Sequence, residues 1–228
     1  MTPSDQPIRH VLDHGFIRLV DSMGSDVSIV RAARVSYDAA WRAGEDHGSD
    51  KRLINYLWRN HHTSPFEAVT FTFEVKAPIF VFRQWHRHRT QSISEVSARY
   101  TELPEEFYVP APEVIGVQST SSKQARIWTG ATDSVSSELI RKSCEDAFTV
   151  YRGLLERGVP RELARSVLPV ATYSHMFATV NLLNLFKFCT LRSHGHAQYE
   201  IRVYSDAVID LIRPIVPVAV EAWEASHG

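Results

Sequence analysis

From Arg87 to Tyr100 the chain reads Arg-His-Arg-Thr-Gln-Ser-Ile-Ser-Glu-Val-Ser-Ala-Arg-Tyr, with only Ile93, Val96 and Ala98 apolar. Arg87, Arg89 and Arg99 supply planar, permanently charged forks that match phosphate oxygens, and the hydroxyls of Thr90, Ser92, Ser94 and Ser97 complete an anion pocket. Ser97 is the natural candidate nucleophile, yet nothing near it in sequence supplies a base, and a serine among arginines suits phosphate binding better. The bland alternative is a solvated helix end with idle surface ion pairs.

Histidines offer a second chemistry. His61, His62, His86, His88, His194 and His196 invite a metal, but metal pairs on a helix favour a spacing of four and no Asp or Glu sits at a useful offset, so no metal is expected. The sequence holds no GxGxxG, no Walker loop and no nucleophile elbow, so a flavin or nicotinamide would need a site of another design.

The elements that position these groups follow from periodicity. Residues 1–10 read as a flexible tail, Val11 to Val20 as a strand or hairpin, Asp21 to Gly24 as a turn, and the stretch from Ser25 as a capped helix. A polar loop from Ala43 to Asp50 leads into a helix over Lys51 to Asn60. Val69, Phe71, Phe73 and Val75 alternate with Thr70, Thr72, Glu74 and Lys76, the clearest strand in the chain. Pro78 opens a helix from Ile79 to about His88, on which Arg83, Gln84 and Arg87 are expected to converge. Phe107 to Val109 is extended, and residues 116–126 read as a surface loop or helix start. A long helix from Ser136 to Glu156 buries Leu139, Cys144, Phe148 and Tyr151 among others. Pro160 to Arg165 start a short helix that Pro169 closes, carrying Glu162 and Arg165 one turn apart, and Val170 to Val180 form a second central strand. Asn181 caps a helix bearing Leu182, Leu185, Phe186 and Phe188 inward, and the final helix runs from Ala197 to Ile212. The expectation is α+β: a single catalytic domain over 1–228 with a small, mainly antiparallel central sheet flanked by helices.

Composition bounds the function. With 25 basic and 26 acidic residues the formal net charge is −1, which disfavours a dedicated nucleic-acid binder. No apolar run reaches bilayer length, so no membrane is expected. The N-terminus shows no signal-peptide pattern, and Cys144 and Cys189 lack a CxxC partner, which together suggest a cytoplasmic protein. A nucleic-acid module using Arg83, Trp85, Arg87 and Arg89, or a metal hydrolase, remains as an alternative class.

Arg87-His88-Arg89, seven residues and then Ser97 resembles the signature of the flavin-dependent thymidylate synthases. The resemblance continues in RAARVSYD from Arg31, HHTSPFEAVTFTFEVKAPIFVFRQW from His61, GVPRELARSVLP from Gly158, and NLLNLFKFCTLR with HAQYEI after Asn181. It implies a homotetramer with active sites between subunits. The implied reaction is reductive methylation of dUMP to dTMP, with 5,10-methylenetetrahydrofolate as carbon donor, FAD as bound cofactor, NADPH as reductant and no covalent attachment of dUMP to the enzyme.

By the same resemblance Gln84, Arg87, Glu95, Ser97, Ala98 and Arg99 contact dUMP, and Arg165 of a neighbouring subunit reaches its phosphate. Arg192 lies beside the uracil ring as the catalytic cation. Ser64, Arg87, His88, Arg89, Glu95, Asn181 and Lys187 occupy flavin positions, and His62 lies where folate would stack on the flavin. Ser94, Leu183 and Lys187 depart from residues usual in the family at their positions.

Overall fold

The computed structural model describes residues 6–124 and 126–226. Its centre is the alternating segment, β3 (Thr70–Pro78), whose Phe71, Phe73 and Val75 are fully buried. Period-two alternation puts these on one face and Thr72, Glu74 and Lys76 on the other. A hairpin of β1 (Ile8–Val11) and β2 (Gly15–Met23) pairs along one edge of β3. On the other edge β7 (Tyr173–Asn181) runs antiparallel in an unbroken register from Thr70↔Asn181 to Pro78↔Tyr173. A short strand, β4 (Ser92–Glu95), closes the order β1-β2-β3-β7-β4, and every pairing is antiparallel.

Helices cover the apolar face. α1 (Asp26–Arg34), α2 (His47–Arg59), α3 (Ile79–Trp85), α6 (Leu182–Arg192), α7 (Tyr199–Ile212) and α8 (Pro217–Glu224) share one continuous core with the sheet. α7 lies so close to the first hairpin that a Cβ at Gly15 would collide with the Tyr204 hydroxyl, which donates to the Lys76 carbonyl at 2.7 Å. α4 (Ser134–Glu156) and α5 (Arg161–Ala164) build a satellite core around Phe148, Tyr151 and Ala164. The α+β class with an antiparallel sheet flanked by helices is therefore as expected.

Several boundaries differ. The expected tail at 1–10 holds β1 from Ile8, because strand pairing to β2 satisfies its backbone; residues 1–5 lie outside the described residues. Asp21 to Met23 continue β2 instead of turning, carried by pairing to Thr70–Thr72. Asp46 caps α2 by accepting from Ser49 N–H at 3.1 Å, which starts the helix inside the expected loop. Residues 117–118 and 126–127 form a two-stranded hairpin, β5 (Val117–Gln118) and β6 (Arg126–Ile127), instead of a plain loop or helix start; Ala125 lies outside the described residues. Leu139 is 65% exposed, because α4 buries the stripe through Ser137, Cys144, Phe148 and Tyr151. α7 is not the final helix: Pro214 ends it and Pro217 opens α8, since proline fits the first turn of a helix.

Both cysteines are free and buried, and burial pushes the Cys189 thiol up to about 12. Among the described residues no helix is long and apolar enough to cross a membrane.

Candidate active site

α3 stands between two polar clusters. Neighbouring residues on a helix point about 100° apart, so Arg83 and Gln84 leave α3 in different directions. Arg83 turns to the Glu95 cleft, while Arg87, past the helix end at Trp85, lies near enough to the Gln84-bound Arg192 for its charge to act there, so the expected convergence of three narrows to Gln84 and Arg87.

On the α6 side sits Arg192, the last residue of α6. Its Nε donates to His88 Nε2 at 3.0 Å, its Nη1 to Gln84 Oε1 at 3.4 Å and its Nη2 to the Gln84 carbonyl at 3.1 Å. These bonds use three of the five N–H donors of a guanidinium, leaving two for a ligand. Burial, and then the charge of Arg87, hold the Arg192 pKa below its ordinary value. Burial, and then the Arg192 charge, push His88 down to about 4, so its ring stays neutral and can accept the Arg192 bond. His88 packs edge-on against Phe188 of α6 at 5.0 Å between centroids.

On the β4 side Arg83, Glu95, Val96, Ala98, Arg165 and Ser174 line a cleft of about 130 Å³. Glu95, the last residue of β4, accepts from the Ser174 hydroxyl at 2.7 Å and lies 3.8 Å from His86 Nε2. Ser97 begins a tight turn: its carbonyl accepts from Tyr100 N–H at 3.0 Å and its hydroxyl from Arg99 N–H at 3.3 Å. Among the described residues no histidine or carboxylate engages that hydroxyl. Arg99 pairs with Glu162 at 3.4 Å across the protein surface, and Arg165 donates to the Glu162 backbone carbonyl at 3.3 Å. Arg83, Arg87, Arg89 and Arg165 form no ion pair among the described residues, so several guanidiniums face outward unneutralised.

A third region joins α2 to α6. Trp58, Arg59, His61, Thr63, Lys187 and Thr190 line a cavity of about 520 Å³. Ser64 begins the short 3-10 segment beside it, and His62, exposed, meets Tyr56 edge-on at 5.9 Å. The Asn181 side chain caps α6 by accepting from Asn184 N–H at 2.9 Å, as its position in the sequence implies. Leu183 is buried in the core, whereas Lys187 is exposed. No group of three or more His, Cys, Asp or Glu among the described residues could hold a metal.

The protein-family profile described as thymidylate synthase complementing protein matches residues 18–218. A flavin-dependent thymidylate synthase of Treponema denticola is 46% identical over 217 residues, covering 94% of this chain and 80% of its own length. The enzyme of the same name from Thermus thermophilus is 49% identical over 215 residues, covering 94% of this chain and 77% of its own. The chain belongs to the flavin-dependent thymidylate synthase family. Among solved structures, a UMP/dUMP methylase, PolB, from Streptomyces cacaoi with bound 5-Br dUMP superposes with a TM-score of 0.84 at 38% identity, covering 95% of this chain and 97% of that one. The same methylase with 5-Br UMP gives 0.82 at 37% identity, over 94% of this chain and 95% of that one.

Beyond the residues that the flavin-dependent thymidylate synthase signature carries, the structure adds a half-buried polar chain behind Arg192 that ends on the buried Glu200. Gln84 donates to Gln198, Gln198 to Glu200, and Glu200 pairs with Arg126. Gln198 and Glu200 belong to the quoted HAQYEI stretch, and the lone arginine in a Ser-, Gln- and Thr-rich run was the only sequence signal for Arg126.

Proposed function

We propose that the chain converts dUMP to dTMP by reductive methylation, as a single catalytic domain of a cytoplasmic homotetramer. FAD is the bound cofactor, 5,10-methylenetetrahydrofolate the carbon donor and NADPH the reductant. The setting of Arg192 carries this reading: a guanidinium held by three bonds, short of solvent, with two donors to spare and no carboxylate to neutralise it. Such a fixed cation beside a uracil ring stabilises negative charge developing on N3 and O2. Gln84 contacts the pyrimidine from the same side. Glu95, Ser97, Ala98, Arg99 and Arg165 hold the nucleotide and its phosphate, with the Ser97 turn presenting backbone N–H groups.

Arg87, His88, Arg89, Ser64, Asn181 and Lys187 would hold the flavin, with Glu95 shared and His62 beside the folate. The donor set suits this: Arg87, Arg89 and Lys187 are exposed cations without ion-pair partners among the described residues, as diphosphate oxygens require. When bound, the flavin supplies the hydride and one-carbon redox chemistry. The chain's residues orient the reactants and need no nucleophile, consistent with Ser97 Oγ serving its own turn.

Arg165 shares its cleft with Glu95 and Ala98 of the same chain, across α3 from Gln84 and Arg192. The two sets can serve one nucleotide when the β4 side of one copy faces the α6 side of another, which supports sites shared between subunits. The common cleft supports reading Arg165 as coming from the same copy as Glu95 and Ala98, with Arg192 as the neighbouring copy's contribution.

Purified protein should show an oxidised-flavin spectrum that NADPH bleaches and dUMP perturbs. It should form dTMP only when methylenetetrahydrofolate and reductant are both present, with UMP offered in parallel because the PolB structures hold the 5-Br forms of both dUMP and UMP. Colourless protein that stays inactive after addition of FAD would sink the reading. Steeply salt-dependent nucleic-acid binding or loss of activity to chelators would point to the other classes instead.

A further inference from the structure

We infer that Glu200 and Gln198 form a relay that sets which way round the Gln84 amide lies and thereby fixes the Arg192 guanidinium; the catalytic consequence rests on Gln84 and Arg192 contacting dUMP. Glu200 is 2% exposed and receives four bonds: from Tyr108 Oη at 3.2 Å, from Arg126 Nη2 at 2.9 and 3.1 Å, and from Gln198 Nε2 at 2.8 Å. An ionised carboxylate only accepts, so Gln198 must turn its NH2 towards Glu200. Its Oε1 then faces Gln84 and can be met only by the Gln84 NH2, at 2.5 Å. That leaves Gln84 Oε1 facing Arg192 Nη1 at 3.4 Å, beside the Gln84 carbonyl that accepts from Nη2 at 3.1 Å.

Reversing either amide would set NH2 against NH2, or NH2 against a guanidinium, and replace bonds between half-buried groups with repulsive contacts. The direction of both amides therefore follows from one accept-only group at the far end of the chain. Arg126 offsets the buried charge and is itself anchored to the Val114 carbonyl at 2.5 Å, which ties the β5–β6 hairpin to the relay. Glu200 and Gln198 are positioning residues, acting on substrate through Gln84 and Arg192.

The test is a double-mutant cycle on the flavin-loaded enzyme, reading dUMP affinity by calorimetry for Gln198→Leu in the native and Arg192→Ala backgrounds. The relay predicts about tenfold weaker binding in the native background and a smaller loss, about threefold, in Arg192→Ala, where only the direct Gln84 contact is left to disturb. Equal losses in both backgrounds overturn it. The Arg192 Nε–H resonance of ¹⁵N-arginine-labelled protein is read alongside because it does not depend on dUMP. It should shift or broaden in Gln198→Leu, and an unchanged resonance also overturns the relay. If Arg192→Ala leaves dUMP affinity and turnover intact, the dUMP reading has failed and the resonance alone decides the relay. Gln198→Ala replaces Gln198→Leu if the latter does not fold.

Discussion

Arg192 and His88 share a bond that protonation of the histidine would break. His88 Nε2 accepts from Arg192 Nε only while the ring is neutral, and its pKa is lowered from 6.5 to about 4. Between those values the unfolded chain takes up a proton that the folded chain refuses. Stability is therefore full above the unfolded value and falls as pH drops towards the folded one. The ring is half-buried and still meets solvent, so screening leaves on the order of 1–2 kcal/mol. His88→Gln keeps an acceptor without the titration, and its melting temperature should decline less than the native one between about pH 7 and pH 4.5. Arg192→Ala should lower turnover by about 10²–10³-fold while flavin absorbance stays; near-native turnover would refute the assignment. Ser97→Ala should weaken binding or rate yet keep measurable turnover, and a trapped Ser97–dUMP adduct in the native enzyme would contradict that. The signature made Arg87 to Arg99 legible. The Gln84–Gln198 bond was not, because it spans 114 residues and glutamines carry no periodic mark.

At the scale of elements, α8 was missed and yet completes the core. Its Val218 and Ala219 N–H groups donate to the Asp26 carboxylate at 2.9 and 3.0 Å, and its Trp223 stacks on Phe186 at 5.5 Å with a 7° interplanar angle. Asp26→Ala should cost about 1 kcal/mol through the lost cap. Trp223→Ala should cost about 3–5 kcal/mol through the cavity it leaves. Urea unfolding measures both, and a Trp223→Ala loss below that for Asp26→Ala would show that α8 docks through its terminus and not its ring. β4 escaped for another reason. Ser-Ile-Ser-Glu has one apolar residue and reads as loop; its strand character comes from pairing with β7, where Ser92 faces Thr179. β3, β7 and α6 were legible because their patterns are long and their caps local, Asn181 above all.

For the whole molecule, the division of the site across α3 makes a quantitative prediction. Arg192→Ala and Arg165→Ala should each be inactive alone, yet an equal mixture, unfolded and refolded together, should recover about a quarter of native activity. A shared site is intact when each of two subunits independently brings the unmutated half. No recovery would place both arginines of each site in one chain. By itself the sequence determined the family, the α+β class, the central strands and the arginine-rich signature, because local periodicity, caps and residue chemistry are written in consecutive positions. Only the tertiary structure decided which side of α3 each arginine faces, that Arg192 is gripped by a neutral His88, and that a buried Glu200 stands behind Gln84. Those facts depend on contacts between distant segments, where packing and desolvation, not local pattern, set direction and charge.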